Sequence, residues 1–132
     1  MNAEIQEIQM FGKFQQSFLR IELDATESLI GEALTSKKLL EKWFPLHFLG
    51  SDIPEHLVPG DSFTTMSLQQ TVEIVTEKHL RIILSGTIDG YHEWYWGNGW
   101  VQSKIEGVSL LPIGLGATTG LLSLREFVKK VV

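Results

Sequence analysis

The chain has 132 residues, enough for one domain with a sizeable core and too few for two. Its composition, 43% hydrophobic and 20% charged, is that of a globular protein, and its longest apolar stretches, near 108–115 and 120–124, are too short to span a membrane. A formal net charge of -5 argues against nucleic acid as a partner, and the absence of cysteine excludes disulfides and thiolate-bound metal.

Residues 1–12 show no clean period and are expected to be loosely ordered within a single domain spanning 1–132. Glu4 and Glu7 spoil any export leader there, so the expected location is the cytoplasm, without membrane insertion. From Lys13 to Leu23 the chain alternates as a strand does, with Ser17, Leu19, Ile21 and Leu23 on one side. Asp24 to Glu27 has the form of a capping box, followed by a short helix burying Leu29, Ile30, Ala33 and Leu34. Thr35-Ser36 reads as a second cap, before a helix carrying Leu39, Leu40, Trp43 and Phe44 that Pro45 ends. A loop then runs from His47 to Gly60. Five short strands follow: Asp61–Leu68, Thr71–Thr76, His79–Ile88, Tyr91–Gly97 and Gly99–Glu106. Turns are expected at Glu77-Lys78, Asp89-Gly90 and Asn98-Gly99, which makes this region an antiparallel meander. From Pro112 the period is helical again, with Ala117, Leu121, Leu124, Val128 and Val131 in one stripe and Leu122 and Phe127 widening it. A helix so apolar needs a covering sheet.

Strand, two short helices, meander and long helix make an α+β, helix-grip order: a curved antiparallel sheet of about six strands around a C-terminal helix. The segment from Ile21 to Trp43 resembles the START-like superfamily, in particular small polyketide-cyclase-like proteins and the homologues of the chaperone-ATPase activator. Ala25-Thr26 after the strand, Ala33-Leu34-Thr35 closing the first helix, Leu40 three before Trp43, and Pro59-Gly60 opening the next strand carry the resemblance. It implies a fold that encloses an apolar ligand. Ile30 departs from the large aromatic common in the family, the stretch after Trp43 lacks the usual Gly-rich strand, and no catalytic residue of a cyclase carries over.

The aromatic run from Tyr91 to Trp96, with Trp100, is the densest chemical feature. On a strand His92, Trp94 and Trp96 share one face and Tyr91, Glu93 and Tyr95 the other. An Asn98-Gly99 turn sets Gly97 opposite Trp100, Tyr95 opposite Gln102, and Glu93 opposite Lys104, where a cross-strand ion pair is expected. The inner face then holds His92, Trp94, Trp96, Val101, Ser103 and Ile105. Two indoles and an imidazole there describe either an apolar pocket with one polar handle or a filled core.

The expected ligand site is therefore Trp94, Trp96 and His92, with Trp43 and Phe44 at its mouth, His47 beyond them, and Leu121 on the helix side. His92 is the single inward candidate for acid–base chemistry. Glu93 and Glu106 are expected to be solvated strand charges. His92-Glu93 lacks the second histidine of HExxH, since Trp96 holds that place, so no metal is expected. Gly114, Gly116 and Gly120 mimic a dinucleotide loop but no second strand follows, so no cofactor is expected and the glycines read as close-packing positions. The leading expectation is binding or carriage of a small apolar molecule. The alternatives are a cyclase or dehydratase using His92, and an interaction domain, for which an exposed aromatic patch would speak.

Overall fold

The computed structural model describes residues 12–44, 52–65 and 67–131. The expectations for 1–11, for the Pro45 helix stop and for His47 lie outside the described residues.

Strand β1 (Lys13–Glu22) leads into helices α1 (Glu27–Thr35) and α2 (Lys37–Trp43). Strands β2 (Ser62–Thr65), β3 (Leu68–Val75), β4 (His79–Gly86), β5 (Ile88–Gly97) and β6 (Trp100–Ser109) follow, and then helix α3 (Ile113–Val131). The six strands form one antiparallel sheet in the order β1-β6-β5-β4-β3-β2. β6 returns to lie beside β1, and α3 packs across both on the concave face. This is the α+β, helix-grip arrangement.

Alternation decides the faces. On β1 Ser17 is buried, as is Leu23 just past the strand's end, while Phe14 and Phe18 stand 59% and 61% exposed on the outer face. On β6 Val101, Ser103 and Ile105 are buried, and on β4 Leu80, Ile82 and Leu84. The register of β5 with β6 is the one that the Asn98-Gly99 turn dictates: Gly97 opposite Trp100, Tyr95 opposite Gln102, Glu93 opposite Lys104. Gly99, at φ 82°, supplies the left-handed residue that this tight turn needs.

The helix starts differ from their sequence signals. Thr26, and not Asp24, caps α1, its Oγ1 accepting from Leu29 N–H at 3.1 Å. The chain is pinned to the β5–β6 turn first: Leu23 N–H donates to Gly99 O and Gly99 N–H to Ala25 O, so the helix begins later. The Glu27 N–H, an orphan donor of the first turn, is met from outside by Asn98 Oδ1 at 2.8 Å. Ser36 stands at the start of α2 but makes no side-chain cap. The start of α3 is tied down from β1, because Gln15 Oε1 accepts from Ile113 N–H while its amide nitrogen donates to Ser109 O and Leu111 O.

One expected turn and one expected strand boundary sit elsewhere. Asp89-Gly90 is not a turn; β4 ends at Gly86 (φ 109°) and β5 already starts at Ile88. Gly90 lies inside β5 opposite Gly107, where the two backbones approach so closely that a Cβ on Gly90 would stand 1.9 Å from Glu106 O. β3 begins at Leu68, after Ser67 at φ 65°, and so takes in Gln69 and Gln70, which the expected strands left between them.

On α3 the buried stripe is Ile113, Ala117, Leu121, Leu124, Phe127 and Val128. Leu122 and Val131 are exposed, as is Leu115 at 70%, so the helix is covered on one side only. Gly114, Gly116 and Gly120 are not close-packing positions: a Cβ on any of them would meet nothing within 4 Å.

Candidate functional site

The concave face of β5 presents three inward side chains in succession, His92, Trp94 and Trp96, because alternation sends every second residue under the helices. Helix α2 brings Trp43 to the same place. The Trp43 indole meets the Trp94 indole edge-on at 6.5 Å and the Phe44 ring at 5.4 Å. Trp94 in turn stacks on the His92 imidazole at 4.4 Å. Phe44, Trp43, Trp94 and His92 are thus one continuous aromatic row. Trp43 is held by its N–H, which donates to Ala33 O at 2.8 Å, and by Ser123 of α3, whose hydroxyl donates to Trp43 O.

His92 ends the row on a polar note. Its Nε2 shares a hydrogen bond of 2.8 Å with Ser103 Oγ, one strand away on β6. Ser103 is 1% exposed, and Ile82 and Ile105 on either side of His92 are buried, yet His92 itself keeps part of its surface open. Burial of the ring lowers its pKa to about 3, so the imidazole is neutral across the physiological range and acts as hydrogen-bond donor or acceptor, not as a charge.

That depression has a consequence for stability. An unfolded histidine, with its ordinary value of 6.5, takes up a proton below that pH which folded His92 refuses until about 3. Its contribution is therefore full above pH 6.5 and declines as the pH falls through that window, by at most about 1.4 kcal/mol per unit. Comparing urea midpoints at about pH 7 and about pH 5 for the protein and for His92→Phe should show a smaller acid loss in the variant. An equal loss in both would place the acid sensitivity elsewhere.

The other expected site residues occupy different surroundings. Trp96, 1% exposed, lies at the far end of β5 beneath α1, where a Cβ on Gly31 would come 3.2 Å from the indole nitrogen. Leu121 is buried on the α3 stripe. The structure thus joins His92, Trp94, Trp43 and Phe44 in one row and places Trp96 and Leu121 as packed neighbours of the core. Ser103, expected only as one of the inward residues, is the missed partner; the Asn98-Gly99 register already put it opposite Trp94.

On the outer face the expected Glu93–Lys104 ion pair does not form, although the two are register neighbours. Glu93 turns towards β4 instead, accepting from His79 Nε2 at 2.7 Å, with Arg81 Nη1 at 3.4 Å. Lys104 lies 3.6 Å from Glu106. Glu93 is not a solvated charge. Burial works against its carboxylate, but His79 and Arg81 outweigh that and hold its pKa below the usual range. His79 also stacks on Tyr95 at 4.2 Å, which fixes it over Glu93. Glu106 accepts from Tyr91 Oη at 2.6 Å, the main reason that its pKa is lowered. These polar groups are tied up among themselves on the convex face. Among the described residues no three His, Asp or Glu side chains gather as a metal-ligand set, and no helix is long and apolar enough to cross a membrane.

No protein-family model and no curated protein matches the sequence. Solved structures do. CalU16 from Micromonospora echinospora superposes with a TM-score of 0.69 at 20% identity, covering 88% of this chain and 77% of that one. DynU16, encoded in the dynemicin biosynthetic locus, gives 0.63 at 13% identity over 86% of this chain, which spans only 47% of DynU16. Aha1 from Colwellia psychrerythraea, solved as a dimer in solution, gives 0.59 at 17% identity, covering 85% of this chain and 94% of that one. All share the helix-grip architecture of this chain. The chain has the helix-grip fold. At these identities the likeness carries the architecture alone.

Proposed function

We propose that this START-like protein binds and carries a small, mostly apolar molecule on its concave face, against Trp94, Trp43 and Phe44 and hydrogen-bonded to His92. The observation that carries the reading is the neutral, partly open His92–Ser103 pair at the end of an aromatic row. An apolar lining with one convergent polar group is the usual make-up of a small-molecule site. A neutral imidazole recognises a hydroxyl or carbonyl without the desolvation cost of a buried charge. Trp96 and Leu121 contribute as packed core that supports the sheet and helix α3, not as surfaces against the ligand. A cyclase-type reaction would ask His92 to move a proton near neutral pH, and a ring with pKa about 3 is a weak base there.

The test is native mass spectrometry of the freshly purified protein against its denatured mass. The expected result is a non-covalent adduct that denaturation releases and that His92→Phe, still folded, carries at much lower occupancy. An adduct retained equally by His92→Phe would remove His92 from the site. The same spectrum addresses a second reading, favoured by the exposed Phe14 and Phe18 on the outer face of the edge strand β1. In that reading the chain pairs with a second copy, as the Colwellia protein does in its solution structure. An adduct-free dimer would favour it over carriage.

A further inference from the structure

Two side-chain nitrogens among the described residues are buried without a hydrogen-bond partner, and one of them is the indole Nε1 of Trp96. Native structures rarely leave a buried donor unmet, because its lost hydration is then uncompensated. Trp43 shows the ordinary outcome, since its indole N–H is paired with Ala33 O. The Trp96 N–H ends under the α1 backbone at Gly31, which has no side chain and leaves room for the indole to approach. Beyond Gly31 opens a surface depression of ≈ 380 Å³ between α1 and the β3–β4 turn, with Trp96 in its floor. Glu27 and Glu32 of α1 and Glu77 of the turn line it. Lys78 lies 3.6 Å from Glu27 and is largely exposed, so the local charge stays negative. Trp96 is stitched to the same turn, its backbone N–H donating to Lys78 O.

An unmet donor at the floor and three carboxylates in the walls together define a complementary ligand. We propose that this depression binds a small organic ammonium ion that also carries a carbonyl group. The carbonyl oxygen accepts from Trp96 Nε1–H, and the ammonium lies among Glu27, Glu32 and Glu77. The α1 backbone has only to shift outward at Gly31 for the oxygen to reach the N–H. This site is separate from the His92 row, since it lies on the α1 side of Trp96 and uses none of His92, Ser103, Trp94 or Trp43.

The indole N–H resonances of the four tryptophans, followed by nitrogen–proton correlation NMR, read this contact directly. Trp96→Phe assigns the resonance and N-acetylputrescine serves as the probe. The Trp96 indole proton should move downfield and saturate on titration, as a donor does when it gains an acceptor. N-butylacetamide, which keeps the carbonyl and lacks the charge, should require about tenfold more to give the same shift. In Glu27→Gln/Glu32→Gln/Glu77→Gln that difference should vanish, and Gly31→Ala should abolish the shift while the rest of the spectrum stays dispersed. A Trp96 resonance that does not move, or that moves equally with both probes, would overturn the proposal. So would an unchanged titration in a folded Gly31→Ala variant.

Discussion

Trp96→Ala lowers the unfolding free energy by about 3–5 kcal/mol, read as a drop in the urea midpoint. The indole is 1% exposed and sits where β5, α1 and the β3–β4 turn converge, so its removal leaves a large void that the sheet cannot close. The informative comparison is with phenylalanine. Trp96→Phe keeps much of the apolar volume and removes a donor that has no partner, so relief of that unmet group partly offsets the lost contacts. Trp43→Phe removes a donor that does have one, and leaves Ala33 O without it. We therefore expect Trp43→Phe to be the costlier of the two by about 1–2 kcal/mol, although both rings are buried. Equal costs would mean that the Trp96 N–H is satisfied in solution by a water molecule.

The second large effect is expected at a glycine that looks like a turn residue and is not one. Gly90→Ala places a methyl carbon 1.9 Å from Glu106 O, a backbone atom of the neighbouring strand that has no rotamer by which to yield. The β5–β6 pairing must part locally, and we expect a loss of about 3 kcal/mol by urea unfolding. Gly116→Ala is the control. Its Cβ would meet nothing within 4 Å in the exposed part of α3, so the same chemical change should raise stability by up to about 1 kcal/mol. If Gly90→Ala were as mild as Gly116→Ala, the close Gly90–Gly107 approach would not exist in solution.

These two glycines also mark how much of the molecule was legible beforehand. Alternation along β1 and from Tyr91 to Ile105 placed the inner face residue by residue, because a half-buried strand has period two and the Asn98-Gly99 turn admits one register. Helical spacing placed the Leu121 and Leu124 stripe for the same kind of reason. Local signals failed where a distant strand competed with them. Asp89-Gly90 has turn chemistry, but Gly107 offers Gly90 a partner that no other residue could approach as closely. Asp24 has cap chemistry, but the β5–β6 turn holds residues 23–25 by backbone bonds, and Thr26 becomes the cap. Glu93 and Lys104 were correctly placed opposite one another, yet register sets proximity and not pairing; His79 and Arg81, one strand over, offer the carboxylate better-placed donors.

For the candidate site the division is similar. Which side chains point inward, His92, Trp94, Trp96 and Ser103 among them, followed from the sequence itself, since direction on a strand is a local property. That His92 bonds to Ser103, that Trp43 joins its row from another element, and that Trp96 ends in an unmet donor under Gly31 were decided only by the tertiary structure. Each of these depends on distances between segments far apart in the chain, and no local pattern of residues encodes how closely two elements pack or which polar atoms that packing leaves without a partner.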